Sequence, residues 1–227
     1  MNVRGFVIAA TGLRAEGRIA AQSDDVRAVA GGGDGARLAQ LIERLIAEGG
    51  QAIISFGLAA GLAPSLAPGT CLDGGEVVHA GRAYRADAVW AAHIKKRLGI
   101  PEPVAIAGVD HPLTSALAKR ALNAETGAVA ADMESYIVAQ LATRHGLPFA
   151  VLRVIADPAE RAIPSAALKG MRRDGGIDVL AVLGSLVKRP GQLPALLRLA
   201  ADTRAAMAAL LRCHDLLGAG LGFRDLA

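Results

Sequence analysis

Short apolar segments alternate with helical patterns along the first 155 residues, and this alternation restricts the fold more than any other feature of the sequence. Each apolar run is flanked by glycine, proline or charged residues, as buried strands are. The sequence predicts strands over 5–11, 26–30, 52–56, 103–107, 127–131 and 149–155, and one or two exposed strands within 70–85. It predicts helices over 34–48, 87–98, 112–123 and 134–145. The alternation predicts an α/β fold, with a mixed, largely parallel central sheet flanked by helices.

The pattern changes after Pro164, where alanine- and leucine-rich helical segments replace the alternation. Two of them cover 176–187 and 193–212. No repeat or clear linker divides the chain. A chain of 227 residues is long enough to bury a core without a disulfide or a structural metal. We therefore predict a single domain, with an α/β core over 1–163 and a C-terminal helical extension over 164–227 packed on it.

The composition excludes several classes of protein. Aromatic residues make up only 3% of the chain, too few for the base-stacking surfaces that bind single-stranded nucleic acid. Cys71 and Cys213 belong to no metal-binding spacing, which fits a reducing cytoplasm and predicts no metal site. No apolar window reaches the roughly 18 residues of a membrane span. The apolar run from Gly5 to Leu13 suits a first strand better than a signal peptide.

Positive charge is concentrated in the C-terminal part of the chain. From Arg161 onward there are 10 Lys and Arg residues against 5 Asp and Glu residues, whereas the preceding residues are close to neutral. A basic and apolar segment indicates a membrane surface or an acidic partner. Arginines on ordinary solvated helix faces are the alternative. The predicted location is therefore cytoplasmic, with peripheral contact at the inner membrane surface left open.

Glycines and carboxylates cluster where the predicted strands end. Ligands of open α/β sheets bind outside the carboxyl ends of the strands. The candidate turns are 11–18, 31–35, 57–61, 108–111, 132–135 and 156–157. We predict the functional site among these turns.

The stretch 130–159 carries the most specific motif, a Met-Glu pair that opens a helix and an Ala-Asp pair one strand later. These pairs are Met133-Glu134 and Ala156-Asp157. Together with GLAAGLAPSLAPG at 57–69, they resemble the purine nucleoside phosphorylase / methylthioadenosine–adenosylhomocysteine nucleosidase superfamily over about residues 3–160. The resemblance implies that family's fold, a small-molecule nucleoside substrate, no bound cofactor and a homo-oligomer. It leaves phosphate open as a co-substrate.

Three further segments resemble one group of that superfamily, the hopanoid-associated phosphorylases or nucleosidases. They are TGLRAE at 11–16, TGAVAADMES at 126–135 and KRPGQLPALLRLA at 188–200. This resemblance implies release of adenine from adenosylhopane. Methylthioadenosine/adenosylhomocysteine nucleosidase or general purine nucleoside phosphorylase activity is the alternative within the superfamily. A nucleoside-binding or membrane-associated scaffold without turnover is the alternative of another class, although the presence of both Asp157 and Glu134 argues against it.

Asp157 is the candidate general acid. Cleavage of a ribose–purine bond leaves a cation-like sugar and an anion-like base, so protonation of the leaving purine accelerates it. The apolar neighbours Val154, Ile155 and Ala156 would desolvate Asp157 and raise its pKa, which suits an acid at neutral pH. The resemblance implies that Asp157 faces the purine N7 and the exocyclic amine. The structural alternative is a helix N-cap before Pro158.

Glu134 and Met133 are the candidate ribose-binding residues. An ionised Glu134 accepts hydrogen bonds from two ribose hydroxyls and places negative charge near an oxocarbenium-like sugar. Met133 would pack on the ribose as an adaptable apolar wall. The structural alternatives are a first-turn carboxylate favoured by the helix dipole, and a core methionine. Asp132 stands where many members of the family have Glu, and no role is predicted for it.

The nucleophile is predicted at the turn after the first strand. Glu16 lies near the place where nucleosidases keep a water-activating glutamate, so it is the second candidate catalytic residue. Arginines near glycine-rich turns at helix N-termini bind phosphate. We therefore predict a pocket for phosphate or water lined by Arg14, Arg18, Gly33 and Gly57. Hydrolysis and phosphorolysis both remain open.

Three further expectations concern base binding, a buried arginine and the C-terminal extension. Backbone groups of Val109 and Asp110 are predicted to read the purine edge, because they occupy the family's base-binding loop. Arg153, inside an apolar strand, is predicted to form an internal ion pair. Segment 165–200 is predicted to form a membrane-docking or lipid-guiding cap, with a dimer interface or ordinary helix packing as the alternative.

Overall fold

Eight strands and eight α-helices make up the regular structure of residues 5–226, which a computed structural model describes apart from 65, 171, 173 and 177. The strands are β1 (Phe6–Thr11), β2 (Val26–Ala30), β3 (Gly50–Gly61), β4 (Cys71–His79), β5 (Arg82–Arg85), β6 (Val104–Gly108), β7 (Ala130–Asp132) and β8 (Phe149–Asp157). The helices are α1 (Arg14–Ala20), α2 (Gly35–Ala47), α3 (Ala88–Leu98), α4 (Ala116–Thr126), α5 (Ser135–His145), α6 (Ser165–Lys169), α7 (Val179–Lys188) and α8 (Leu193–Leu217).

The strands form one mixed sheet, part of which closes on itself. β2, β1 and β3 pair in parallel, and β3 continues in parallel with β8. β8 then pairs antiparallel with β4, β4 pairs parallel with β6, and β6 pairs parallel with β7. A short antiparallel pairing of β7 with the end of β3 closes a ring of five strands. The predicted α/β class with a mixed, largely parallel sheet is confirmed.

The register of this ring brings the ends of four strands to one rim. Ala60 pairs with Ala131 of β7 and with Asp157 of β8. Gly108 at the end of β6 pairs with Asp132 at the end of β7. These pairings place the carboxyl ends of β3, β6, β7 and β8 next to one another, where α/β proteins bind their ligands.

Several local predictions differ from the structure: the strand predicted over 127–131 is Ala130–Asp132, the helical segment predicted from residue 176 begins at Val179, and the short helix α6 was not predicted. The helix predicted from residue 112 begins at Ala116 instead, because the Ser115 hydroxyl caps it by accepting a hydrogen bond from the Ala118 amide at 3.1 Å. A seven-residue helix, α1, was not predicted. Gly17 interrupts its short apolar pattern, and seven residues give too few turns for a periodic signal.

The C-terminal helix α8 packs on the sheet. Its buried face includes Ala206, Leu210 and Cys213, which join the apolar cluster formed by β3 and β8. The chain beyond it is also held, because the indole of Trp90 donates a hydrogen bond to the Leu221 carbonyl at 3.0 Å. The predicted helical segments after Pro164 are therefore present as α7 and α8, and α8 belongs to the same core as the sheet.

Helix α7 has a different character from α8. It exposes large apolar side chains, with 80% of Leu180 and 84% of Val187 accessible to solvent, and Leu183 is also exposed. Leu193 and Leu197 continue this exposed apolar surface at the start of α8. Across the described part of the chain, every helix is too short or too polar to cross a bilayer.

Candidate active site

A cavity of about 200 Å³ lies at the rim where the strands end, and we call it the rim pocket. Three candidate carboxylates line it, namely Glu16 after β1, Glu134 after β7 and Asp157 at the end of β8, and the buried Asp132 lines it as well. Ile163, Arg172 and Gly176 close it on the side of the C-terminal segment. A larger groove of about 860 Å³ runs between α2 and α5, but none of the three carboxylates lines it.

Glu16 is held by backbone amides. Its side chain is almost fully buried, and one oxygen, Oε2, accepts hydrogen bonds from the amides of Gly12 at 2.8 Å and Leu13 at 2.7 Å. The other oxygen, Oε1, accepts one from the Leu58 amide at 2.9 Å. Burial raises the pKa of Glu16, and Arg153 together with the three amides partly opposes that rise. A carboxylate poised in this way suits a general base.

Arg153 forms ion pairs with two of the carboxylates, Asp132 and Glu134. Its guanidinium is fully buried, with Nε 3.0 Å from Oδ2 of Asp132 and Nη2 3.3 Å from Oε2 of Glu134. Its Nη1 also donates a hydrogen bond to the Leu58 carbonyl at 3.1 Å. The predicted internal ion pair of Arg153 is confirmed. Because its charge is already shared by two carboxylates, Arg153 is not available to bind a phosphate group.

Glu134 lies at the N-terminus of α5 and faces the rim pocket. Burial raises its pKa to about 7, Arg153 opposes this rise, and the negative charges of Asp132 and Glu16 add to it. Glu134 is therefore close to the midpoint of its titration at neutral pH, whereas the sequence suggests a fully ionised group. A side chain at Gly12 would come within 2.9 Å of Oε1 of Glu134, so any other residue there would displace the carboxylate from this position.

Asp132 fixes the start of α5, a role that the sequence did not indicate. Its Oδ1 accepts hydrogen bonds from the amides of Glu134 at 2.8 Å and Ser135 at 2.6 Å. Its Oδ2 accepts one from the Ser135 hydroxyl. Asp132 thereby orients the backbone that carries Glu134. Met133 lines the rim pocket between these residues, with its methyl group beside Gly33.

Asp157 is the last residue of β8 and lines the rim pocket. The chain continues into a turn after it, and the next helix, α6, begins only at Ser165, so Asp157 is not a helix N-cap. Its Oδ2 contacts the ammonium of Lys119 at 2.5 Å. Burial raises the pKa of Asp157 above its ordinary value, and the charge of Lys119 opposes that rise. The predicted acid therefore has a partner that the sequence did not reveal.

The two predicted base-binding residues, Val109 and Asp110, line different cavities. Val109 lines the rim pocket, but its amide donates a hydrogen bond to the Asp132 carbonyl at 2.9 Å. That amide is therefore not free to bind a purine. Asp110 lies in the groove between α2 and α5, where its Oδ1 accepts a hydrogen bond from the Tyr136 hydroxyl at 2.8 Å.

The four residues of the predicted phosphate or water pocket also separate. Gly33 lines the rim pocket, and Gly57 lies behind it, where a side chain would come within 2.8 Å of the Glu16 carboxyl carbon. Arg14 and Arg18 line a different surface cavity, and Arg14 forms an ion pair with Asp174 at 2.9 Å. Residues two apart on a helix point to opposite sides. The structure therefore does not bring the arginines that flank Glu16 to its pocket.

Solved structures with the same fold are nucleosidases and hydrolases. Helicobacter pylori 5'-methylthioadenosine/S-adenosylhomocysteine nucleosidase, as a mutant with 5'-methylthioadenosine in the active site, is 18% identical. That match covers 82% of this chain and 99% of the other, with a TM-score of 0.63. Futalosine hydrolase of the same organism is 17% identical, over 92% of this chain and 97% of the other, with a TM-score of 0.62. The Neisseria meningitidis nucleosidase bound to methylthio-immucillin-A is 16% identical, over 92% and 99%, with a TM-score of 0.61.

These similarities define the class of protein, an α/β protein with the fold of nucleosidases. Residues 9–187 match the phosphorylase superfamily, and the chain belongs to that superfamily. Among curated proteins, none is similar enough to count as a match. The predicted superfamily, and with it the prediction of an enzyme, is confirmed.

Proposed function

We propose that this protein cleaves the N-ribosidic bond of an adenosyl compound and releases adenine. The observation that carries the proposal is the rim pocket, where three carboxyl groups with raised pKa values line about 200 Å³ of space. Carboxyl groups whose pKa values lie near the working pH are suited to move protons in both directions. Nucleosidases of the same fold are described with 5'-methylthioadenosine or its analogues bound.

Each carboxyl group has a distinct part in this reaction. Asp157 gives its proton to the leaving purine, so that the electron pair of the breaking bond goes to a neutral base. Glu134 accepts hydrogen bonds from the ribose hydroxyls and stabilises the positive charge that develops on the sugar. Glu16 takes a proton from the attacking water, because its carboxylate is held at the pocket by the amides of Gly12, Leu13 and Leu58.

Hydrolysis suits this pocket better than phosphorolysis. The buried carboxylates Glu16 and Glu134 would repel a phosphate dianion. The buried Arg153 is already paired with Asp132 and Glu134, and Arg172 at the edge of the pocket is paired with Asp174 at 3.4 Å. Arg14 and Arg18 lie in another cavity. We therefore propose water, activated by Glu16, as the acceptor of the ribosyl group.

A single assay tests both parts of the proposal. The purified protein is incubated with 5'-methylthioadenosine or adenosine, with and without inorganic phosphate, and the products are separated by chromatography. We expect adenine and a free ribose sugar at equal rates in both conditions. Formation of a ribose 1-phosphate, and only with phosphate present, would show a phosphorylase. If no adenosyl compound releases adenine under either condition, the proposed reaction is wrong.

Replacement of Glu134 by glutamine should weaken the binding of the ribose hydroxyls. The amide replaces one acceptor oxygen by a donor and removes the charge, and a hydrogen bond to a charged group contributes about 1.5–3 kcal/mol. We expect kcat/KM to fall by roughly 10- to 100-fold for adenosine and clearly less for 2'-deoxyadenosine. The deoxynucleoside is the matched control, since it lacks one of the two hydroxyls. Equal losses with both substrates would show that Glu134 does not bind the ribose hydroxyls.

The substrate's remaining half is proposed to be a lipid, as in adenosylhopane. The rim pocket is smaller than the roughly 300–1,000 Å³ of pockets that enclose drug-sized ligands, so a large substituent has to lie outside it. Ile163, Arg172 and Gly176, which line the pocket, shortly precede α7 in the sequence, and α7 exposes Leu180, Leu183 and Val187. Methylthioadenosine/adenosylhomocysteine nucleosidase activity is the alternative, because the structures with this fold include such enzymes.

The lipid proposal also places α7 at a membrane surface. Exposed leucines beside basic residues such as Lys188 and Arg189 suit an interface with anionic headgroups. The test is flotation with phosphatidylglycerol vesicles at low salt. We expect the intact protein to float, and a variant with Leu180, Leu183 and Val187 changed to serine to remain in solution.

A matched control tests whether flotation depends on the apolar side chains of α7 in particular. Val89 and Leu117 are as exposed as the α7 side chains but lie on other helices, so changing them to serine should leave flotation intact. Membrane docking is wrong if the intact protein does not float, or if the control variant loses flotation to the same extent as the α7 variant. Faster cleavage of an adenosyl lipid than of 5'-methylthioadenosine would favour the lipid substrate over the alternative.

A further inference from the structure

Lys119 is a fully buried lysine beside the rim pocket. It lies on α4 and is the buried residue of a helix whose other side chains are exposed or half-buried. It does not line the rim pocket itself. A lysine is rarely buried unless it is paired, and this one contacts the carboxylate of Asp157 at 2.5 Å.

The surroundings of the Lys119 ammonium consist of acceptors. Besides the Asp157 carboxylate, it reaches the carbonyl oxygens of Pro158 at 2.8 Å, Arg161 at 3.1 Å and Asp157 itself at 3.4 Å. An ammonium has three donors and no acceptor, and each of these four groups offers it an acceptor oxygen. The side chain therefore ties the Asp157 carboxyl to the turn that follows it, and fixes the direction of that carboxyl.

The attraction between Lys119 and Asp157 strengthens when Asp157 releases its proton, because a cation attracts a carboxylate more strongly than a neutral acid. Burial alone would hold Asp157 in its protonated form, which could not then transfer the proton readily. Lys119 favours the ionised form that remains after transfer. The other charged group near Asp157 is Asp202 on α8, whose negative charge acts in the opposite direction and is itself paired with Arg161.

We propose that Lys119 is a positioning residue that aims the Asp157 carboxyl at the leaving base and stabilises the carboxylate formed when its proton is transferred. The proposal rests on the proposed function. In the step concerned, the proton of Asp157 bonds to the purine, the electron pair of the N-ribosidic bond passes to the base, and Asp157 becomes a carboxylate paired with Lys119. Solvent returns the proton once the products leave.

The pH profile separates this role from a merely structural one. Activity requires protonated Asp157, so kcat/KM falls as pH rises through the pKa of Asp157 in the free enzyme. Removing the positive charge in Lys119→Met raises that pKa, so the fall moves to higher pH. We expect a displacement of about 1–3 pH units, the usual effect of an opposite charge at this distance. We also expect a loss of at least about tenfold in kcat, because the carboxyl is less well aimed and a weaker acid.

Two further variants and one control complete the experiment. Lys119→Arg keeps the charge and should keep the pH profile near its original position. Lys119→Gln keeps a donor for the carbonyls without the charge, so it should show the displaced profile even if Lys119→Met does not fold. Lys96→Met removes an exposed lysine of α3 and should change nothing. An undisplaced profile in a folded, neutral Lys119 variant overturns the proposal.

A measurement without substrate keeps this proposal distinct from the proposed function. The carboxyl carbon of Asp157 can be titrated by NMR in protein labelled with ¹³C-aspartate, with Asp157→Asn used to assign the signal. We expect the titration midpoint of Asp157 to rise in Lys119→Gln and to stay in place in Lys96→Met. A raised midpoint without any adenine release would support the Lys119–Asp157 coupling while refuting the reaction. An unchanged midpoint would refute the coupling alone.

Discussion

Replacing Asp157 with asparagine is expected to reduce kcat for adenine release by at least about 100-fold, the usual contribution of general acid catalysis. The amide keeps the shape of the side chain, and its oxygen can still accept a hydrogen bond from Lys119, but it has no acidic proton for the leaving purine. The loss should be largest for the most poorly stabilised leaving bases. Steady-state rates measured by chromatography of released adenine give the result.

The same variant should also lose stability. Lys119 would keep its charge in a buried position without a counter-charge, and breaking a buried pair costs roughly 3–5 kcal/mol. The retained hydrogen bond to the amide oxygen should hold the cost near the lower limit. Thermal unfolding of Asp157→Asn, compared with the double variant that also carries Lys119→Met, measures this cost. Asp24→Asn, at an exposed carboxylate, is the control for both experiments. Near-normal turnover by a folded Asp157→Asn protein would remove Asp157 from the mechanism.

The position of the site could be predicted because strand order and motif position act together. Short, continuously apolar runs identify the buried strands, and the motif residues lie where those strands end. Glu134 and Asp157 come from different strands, yet the ring closed by β3, β8, β4, β6 and β7 brings the ends of those strands to one rim. Glu16, Met133, Val109 and Gly33 also reach that rim pocket.

The partners of these residues could not be predicted, because they depend on contacts between distant parts of the chain. Lys119 is 38 positions from Asp157, on a helix whose sequence looks like an ordinary solvated surface. Nothing local distinguishes it from the exposed Lys96. Arg153 was different, since a charged residue within an apolar strand indicates an internal ion pair from the sequence alone.

The arginines beside Glu16 illustrate a limit of reading sequence neighbours as spatial neighbours. In an extended segment Arg14, Glu16 and Arg18 would all point to the same side, because they are two positions apart. Both arginines would then lie beside the glutamate, as the predicted phosphate pocket requires. The segment is instead the helix α1, where a residue two positions away is rotated by about 200° around the axis. Glu16 therefore turns inward to the amides of Gly12 and Leu13, which follow β1, and of Leu58 in β3, while the arginines turn to a surface cavity.

Replacing Glu16 with glutamine is expected to reduce hydrolysis by at least about 100-fold, because the amide cannot take a proton from water. It should also destabilise the turn after β1. Both oxygens of Glu16 accept hydrogen bonds from backbone amides, so whichever way the glutamine amide is turned, its NH₂ group faces another donor. A buried donor left without an acceptor costs about 1–3 kcal/mol. Glu16→Asp keeps the charge at a shorter reach and separates the loss of charge from the loss of position.

The pH dependence decides whether Glu16 is the base. Burial raises the pKa of Glu16 and holds that of Glu134 at about 7, and the two groups repel each other, so they titrate as a pair. Water activation requires the ionised form, so activity of the intact protein should fall as pH decreases through the values of this pair. In Glu16→Gln only Glu134 remains, and because a negative neighbour has been removed, its pKa should fall. The residual activity should therefore persist to lower pH than that of the intact protein. If the acid limb stays where it was, Glu16 carries no negative charge over this pH range, and water is activated by another group.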